Sequence, residues 1–144
     1  MMHSTRLSTI FSWLPDWAFP VCVALVACAP ALWKPLTIDD AAYVQYARQI
    51  KQCPAQPYDF TIFWGESPRP AQEVLAPALV PYWWALGMWL LGESEFLWHL
   101  WFLPFAIVAA WALDRLCVRF SVPRRLALLI FFWSPLFMPH VNFM

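Results

Sequence analysis

Residues 96–113 read FLWHLWFLPFAIVAAWAL, and no Asp, Glu, Lys or Arg interrupts them. A helix that crosses the hydrocarbon core of a bilayer needs roughly 17 to 25 predominantly apolar residues. Three further stretches lack the same four residue types, at residues 17–33, 74–92 and 126–144. These segments predict an all-α fold in which three to four apolar segments form transmembrane helices.

The composition also indicates a membrane protein. Of the 144 residues, 62% are hydrophobic and 12% are charged, whereas a typical soluble domain has about 25% charged residues. The nine basic and nine acidic residues cancel, so the net charge does not favour a nucleic-acid partner. Eleven Trp residues occur, most of them in or beside the apolar segments, and Trp favours the headgroup level of a bilayer. We therefore expect an integral membrane protein with lipid as a partner, and not a soluble globular domain.

The only long polar segment, residues 34–73, begins with a helix start. Thr37 or Asp39 can cap the helix, and Asp40 suits the positive end of the helix dipole. Apolar residues then recur at helical spacing as far as Ile50, with the charged residues largely on other faces. This pattern predicts a short amphipathic helix suited to a membrane surface.

Residues 57–70 follow this helix and combine aromatic residues with three prolines. Pro68 and Pro70 lack the N–H group that a helix or a sheet ladder uses. We expect this stretch to be irregular and to pack against an apolar surface.

The sequence leaves two topologies open. Residues 115–125 contain four arginines, and such clusters face the cytoplasm. If all four apolar segments cross the membrane, the 34–73 loop is cytoplasmic as well. If residues 74–92, which Pro77 and Pro81 interrupt, dip into the membrane and return, there are three crossings and the 34–73 loop faces outward.

Asp39 and Asp40 are the sharpest candidates for chemistry, because they directly follow the first apolar segment. A carboxylate at headgroup depth can act as a general base toward a hydroxyl group. It can equally bind a divalent cation that neutralises a phosphate, so a metal cofactor stays open. A purely structural role as a helix cap is the third interpretation.

Basic residues share the loop with these carboxylates. Arg48, Lys51 and Arg69 can clamp a phosphate or pyrophosphate group, or they can contact lipid phosphates generally. His99 lies inside an apolar segment, which makes it either a functional residue or an interfacial hydrogen-bonding residue. Glu93 is interpreted as a solvated loop charge.

Several short motifs resemble one enzyme family. Residues 38–50, IDDAAYVQYARQI, resemble the first external loop of the GT-C-type glycosyltransferases that use lipid-linked sugars. These polytopic enzymes are similar to the dolichyl-phosphate-mannose protein mannosyltransferases and to the bacterial aminoarabinose transferase. The matches that follow in the same order are QPYDF at 56–60, Trp64, APALVPYW at 76–83, LGESE at 91–95, His99, Ser134-Pro135 and NFM at 142–144. The resemblance covers roughly residues 10–144, and the chain departs from it at Ala76-Pro77-Ala78, where the family usually has a polar residue followed by two prolines.

The resemblance implies transfer of a hexosyl or pentosyl group from a polyprenyl-phosphate donor on the extracytoplasmic side of a bacterial inner membrane. It places the 34–73 loop on that side, with Asp39 or Asp40 deprotonating the acceptor and a basic residue holding the leaving phosphate. By the same resemblance, Tyr43, Tyr82 and His99 are candidate substrate contacts. Sugar and acceptor cannot be read from these motifs.

Two further expectations complete this interpretation. The chain ends inside an apolar run, and we expect residues 1–144 to be the N-terminal part of a single transmembrane glycosyltransferase domain that does not transfer sugar alone. The alternative is a non-enzymatic integral membrane protein, such as a transporter fragment or a small scaffold, that uses the same helices only for packing.

Overall fold

The computed structural model of the protein describes residues 15–74, 78–134 and 137, with Ile38 described by its backbone alone. The APALVPYW motif therefore lies partly outside the described residues, and so does most of the apolar segment after Ser134. The described chain is mostly helical, which confirms the all-α expectation.

The elements follow the apolar pattern closely. They are α1 (Ala18–Cys28), a 3₁₀ helix (Ala29–Trp33), α2 (Ile38–Gln52), β1 (Thr61–Trp64), β2 (Ser67–Pro70), α3 (Ala71–Val74), α4 (Leu79–Leu91), α5 (Glu95–Arg119) and α6 (Arg124–Phe132). The first apolar segment becomes α1 and the 3₁₀ helix, and the amphipathic pattern becomes α2. The later apolar segments contain α4, most of α5 and most of α6.

One helix among the described residues, α5, is long and apolar enough to cross a membrane. It has 25 residues and continues through Pro104. The first helical run, Ala18–Trp33, and α4 are apolar but shorter than a full crossing. The prediction of a membrane-spanning helix at residues 96–113 is thus supported by length and composition.

The described chain forms two compact units. The first unit takes residues up to Ala31 and from Phe102 onward, and its core joins α1, the second half of α5, and α6. Within this unit the backbone of α1 approaches that of α6 most closely, and small side chains of α1 and α5 are part of the core. The buried side chains of this core are Phe19, Val23, Ala24, Ala27, Ala110, Leu128 and Phe132.

The second unit takes residues from Leu32 to Trp101. Tyr46 of α2 is fully buried at its centre, and its hydroxyl donates to the backbone carbonyl of Ala71. The ring of Phe60 meets the Tyr46 ring edge to face at a centroid distance of 4.9 Å, and Ile62 of β1 completes this part of the core. The apolar face of α2, which we predicted to rest on a membrane surface, is therefore covered largely by protein.

The prediction that residues 57–70 are irregular is wrong, because they contain a β-hairpin. β1 and β2 pair antiparallel, with Thr61 opposite Pro70 and Trp64 opposite Ser67. Gly65 begins the two-residue turn at a φ of +70°, and a glycine there suits the type II′ turn of tight hairpins. Both prolines lie on a strand with one neighbour, where a missing N–H is tolerated.

Candidate functional site

The start of α2 is fixed by a capping box. Thr37 is the N-cap residue, and the carboxylate of Asp40 accepts hydrogen bonds from its backbone N–H at 2.8 Å and its hydroxyl at 2.7 Å. Asp40 is 3% exposed. A capping box satisfies N–H groups that the first helical turn leaves without an intrahelical partner. The structure therefore gives Asp40 a definite structural task.

Asp39 has a different environment although it is the adjacent residue. Successive side chains on a helix point about 100° apart, so burial of Asp40 turns Asp39 away from the core. The Asp39 side chain is exposed, and no hydrogen bond or ion pair joins it to another residue in the described part of the chain. Asp39 is thus the carboxylate of the pair that remains open to a ligand.

His99 lies on α5, in the part of that helix that belongs to the second unit. It is 6% exposed, and its imidazole makes a backbone hydrogen bond with Leu32 at the end of the 3₁₀ helix. The charge of Asp40 acts on the same imidazole. Within residues 15–74, 78–134 and 137, the Nδ1 atom of His99 has no hydrogen-bond partner. His99 and Asp40 are therefore both buried groups of the second unit.

Arg48 and Lys51 converge on one carboxylate. Glu93, in the connection between α4 and α5, accepts a salt bridge from Arg48 at 3.0 Å and one from Lys51 at 3.3 Å. Partial desolvation acts to raise the pKa of Glu93, but the hydrogen bonds and charges of Lys51 and Arg48 outweigh it and lower that pKa. Glu93 therefore joins α2 to the chain after α4, and our interpretation of it as a solvated loop charge was incomplete.

Arg69 does not share the Glu93 carboxylate that Arg48 and Lys51 bind. It lies on β2 opposite Ile62 and is exposed. No ion pair links it to another residue in the portion of the chain that is described. The structure thus brings together two of the three basic residues proposed for phosphate binding, and both of these already hold a carboxylate.

The two candidate tyrosines take part in packing α2 against α4. The ring of Tyr43 stacks on Trp84 at a centroid distance of 6.3 Å. The hydroxyl of Tyr82 donates to the carbonyl of Pro54 at 2.5 Å. Tyr43 is half-buried and Tyr82 is exposed, so each retains some accessible surface beside α2.

The sequence left open whether the site binds a divalent cation. No group of three His, Cys, Asp or Glu residues that could hold a metal ion occurs among the residues that the structure describes.

A second charged cluster, which sequence reasoning did not identify, lies in the first unit. Asp114 of α5 is 3% exposed and accepts two hydrogen bonds from Arg124, at 2.8 and 2.9 Å. Arg124 also lies 3.3 Å from Asp16. The hydrogen bonds to Asp114 raise the pKa of Arg124, and the charges of both aspartates add to this, although burial opposes it. In the sequence, Asp114 is the only acidic residue near the arginine cluster. A single carboxylate beside four arginines could have indicated this ion pair.

Comparison with protein-family models, with curated proteins and with solved structures gives no match for this chain.

Proposed function

We propose that this chain is part of a multi-pass membrane glycosyltransferase that moves a sugar from a polyprenyl-phosphate donor to an acceptor at the extracytoplasmic face. The observation that carries the proposal is the exposed Asp39 carboxylate. It lies in the first turn of α2, a few residues after the first apolar helical run. A base in that position would be close to a polyprenyl-phosphate donor, whose phosphate lies at the depth of the lipid headgroups.

Low burial of α5 supports a membrane location. Over the 18-residue apolar stretch of α5 that is long enough to cross a membrane, only 17% is buried inside the protein. A core helix of a soluble protein would be mostly covered by its neighbours. Large exposed side chains on this helix include Phe105, Val108 and Trp111, and lipid is the solvent in which such a surface is stable.

The contacts of α4 favour three crossings over four. Tyr82, near its start, bonds Pro54, and Glu93, just after its end, bonds Arg48 and Lys51. A 13-residue helix extends only about 20 Å, which is less than the roughly 30 Å of a hydrocarbon core. Both ends of α4 are thus tied to residues 48–54, as expected of a helix that stays on one side of the membrane.

The proposed chemistry uses the two aspartates differently. Asp39 takes the proton of an acceptor hydroxyl, while the acceptor oxygen forms a bond to the anomeric carbon of the sugar. The bond from that carbon to the donor phosphate breaks, and the polyprenyl phosphate leaves with the bonding electrons. Asp40 acts as a positioning residue, because its hydrogen bonds to Thr37 fix the helix turn that holds Asp39.

Arg48 and Lys51 are the proposed phosphate ligands, and Glu93 qualifies that role. A donor phosphate would have to replace or share the Glu93 carboxylate at these two cations. Both basic side chains are partly exposed, so an incoming phosphate can reach them. The leaving polyprenyl phosphate is a monoester with a charge of about −1.5 to −2 at pH 7, more than a carboxylate has, so the two cations bind it more strongly once the sugar bond breaks.

The test is Asp39→Asn, introduced at the chromosomal locus of the native host, with polyprenyl-phosphate sugars quantified by mass spectrometry. A positioned general base contributes about 10²- to 10⁴-fold in rate, so we expect the lipid-linked donor to accumulate and its product to disappear. Glu66→Gln in the exposed hairpin turn is the matched control and should leave both pools unchanged.

Unchanged lipid-linked sugar pools in the Asp39→Asn strain, with normal protein in the membrane, would reject the mechanism. That outcome would favour the non-enzymatic alternative, in which these residues serve only to hold α2, α4 and the hairpin together. Asp40→Asn gives a second comparison, because it should reduce the melting temperature as well as the activity through the weakened cap.

A further inference from the structure

The end of the first unit that contains the arginine cluster is both basic and apolar. The turn between α5 and α6 is short, with Ser121 at a φ of +56° and the N–H of Val122 bonded to the carbonyl of Cys117 at 2.9 Å. This turn keeps the last residues of α5 beside the first residues of α6. Four arginines lie between residues 115 and 125, with no acidic residue among them.

The nearby acidic residues are already engaged. Among residues 15–31 and 102–134, the carboxylates are Asp16 and Asp114, and both bind Arg124. Arg115 and Arg119 are exposed one helical turn apart on α5, and the described residues give neither of them an ion pair. Their charges are therefore open to an external anion.

The same turns expose large apolar side chains. Trp111 is 49% exposed and Phe120 is 69% exposed. The guanidinium of Arg115 lies over the Trp111 ring, 5.4 Å from its centroid. A nucleic acid or an acidic protein would neutralise the arginines but leave these apolar side chains in water. A partner with an anionic head and an apolar body matches both features.

We propose that Arg115 and Arg119 bind the phosphates of anionic phospholipids such as phosphatidylglycerol, with Trp111 and Phe120 inserted at the boundary between headgroups and acyl chains. About twenty helical residues span the hydrocarbon core, so a core that begins near Glu95 ends near Arg115. Arg side chains place their apolar stems along acyl chains and their guanidinium groups among phosphates. This inference requires membrane insertion of α5 and does not depend on sugar transfer.

The proposal is tested by titrating the purified chain, held in a zwitterionic detergent, with phosphatidylglycerol or phosphatidylcholine and counting bound lipids by native mass spectrometry. We expect tighter binding of phosphatidylglycerol. Each basic residue near an anionic surface contributes about fivefold in affinity, so Arg115→Gln with Arg119→Gln should weaken phosphatidylglycerol binding by about 25-fold. Arg115→Lys with Arg119→Lys keeps both positive charges and should retain most of the phosphatidylglycerol binding.

Two further measurements on the unaltered chain keep the test independent of variant folding. Added sodium chloride should weaken phosphatidylglycerol binding and leave phosphatidylcholine binding nearly unchanged, because screening acts on charge. Inorganic phosphate, which has the charge without acyl chains, should displace no more lipid than sodium chloride of the same ionic strength. Equal affinity for the two lipids, equal losses in the lysine and glutamine double variants, or stronger displacement by inorganic phosphate than by sodium chloride of the same ionic strength would each overturn the proposal.

Discussion

The carboxylate of Asp16 lies 3.3 Å from the guanidinium of Arg124, so the chain just before α1 meets the first residue of α6. Arg124 also holds the buried Asp114 of α5. The beginning of α1 and the arginine turn are therefore at the same end of the first unit. If α1 crosses the bilayer, it therefore starts on the side that holds the arginine turn.

Asp114→Asn should destabilise the first unit. The substitution removes the buried charge that pairs with Arg124 through two hydrogen bonds. Losing one partner of a buried charged pair typically costs about 2–3 kcal/mol when the other partner stays partly solvated. Thermal unfolding in detergent, followed by circular dichroism, measures the change.

Asp59→Asn is the control for this substitution, because Asp59 is an exposed aspartate of the polar loop. It should leave the unfolding temperature within error of the unaltered protein. If Asp114→Asn behaves in the same way, the ion pair does not hold the three helices together.

Gly87→Ala should be destabilising, against the usual trend for helices. A Cβ atom at this position would lie 2.6 Å from Cδ1 of Trp101. The Trp101 ring is held in place by stacking on Trp83 at 4.7 Å and by a hydrogen bond to the Trp83 carbonyl at 2.9 Å. Alanine normally stabilises a helix by about 1 kcal/mol relative to glycine, whereas overpacking here should cost about 1–3 kcal/mol.

A double-mutant comparison isolates the cause of the Gly87 effect. In a Trp101→Leu background the clash is relieved, and Gly87→Ala should become neutral or stabilising. A similar loss of stability in both backgrounds would mean that close packing against Trp101 is not the reason that glycine is needed.

The salt bridges of Glu93 should make stability depend on pH. The pKa of Glu93 is lowered from its ordinary value of 4.5 by Lys51 and Arg48, which outweigh the opposing effect of desolvation. A carboxylate whose pKa falls on folding contributes fully above its unfolded pKa, and that contribution is lost as the pH falls through the folded pKa. The unaltered protein should therefore unfold at a higher temperature than Glu93→Gln at neutral pH, and the difference should disappear below 4.5.

This pH effect should be small, since the side chains involved are 35–51% exposed. Exposed ion pairs contribute between zero and about 1 kcal/mol, and salt reduces them. Glu66→Gln should show no difference from the unaltered protein at any of these pH values. A gap between Glu93→Gln and the unaltered protein that widens in acid would contradict the assigned pairing.

The helices could be predicted from the sequence because local patterns determine them. The apolar spacing from Tyr43 to Ile50 and a capping residue before Asp39 define α2, and both are readable from adjacent residues. Uninterrupted apolar composition likewise predicts α5. The hairpin was missed because Pro68 and Pro70 argue against strands unless the strand is known to lie at an edge.

The candidate site could be predicted only in part, because its pairings depend on the fold. The sequence offers both Asp39 and Asp40 as the general base, yet the direction in which α2 packs makes Asp39 exposed and Asp40 buried. Glu93 meets Arg48 across 45 positions of the chain. No local pattern indicates such a pair, since it exists only after α4 folds back along α2.

The most direct test of the account is the membrane side of the polar loop. Cys53 is exposed and lies just after α2, and a variant that retains it alone can be labelled with a membrane-impermeant maleimide in right-side-out membrane vesicles. The matched variant has Val122→Cys, in the exposed arginine turn, as its only cysteine. We expect Cys53 to react in sealed vesicles and the cysteine at position 122 to react only after permeabilisation. Reaction of both or neither in sealed vesicles, or the reverse order, would contradict the proposed topology and the outward-facing site at Asp39.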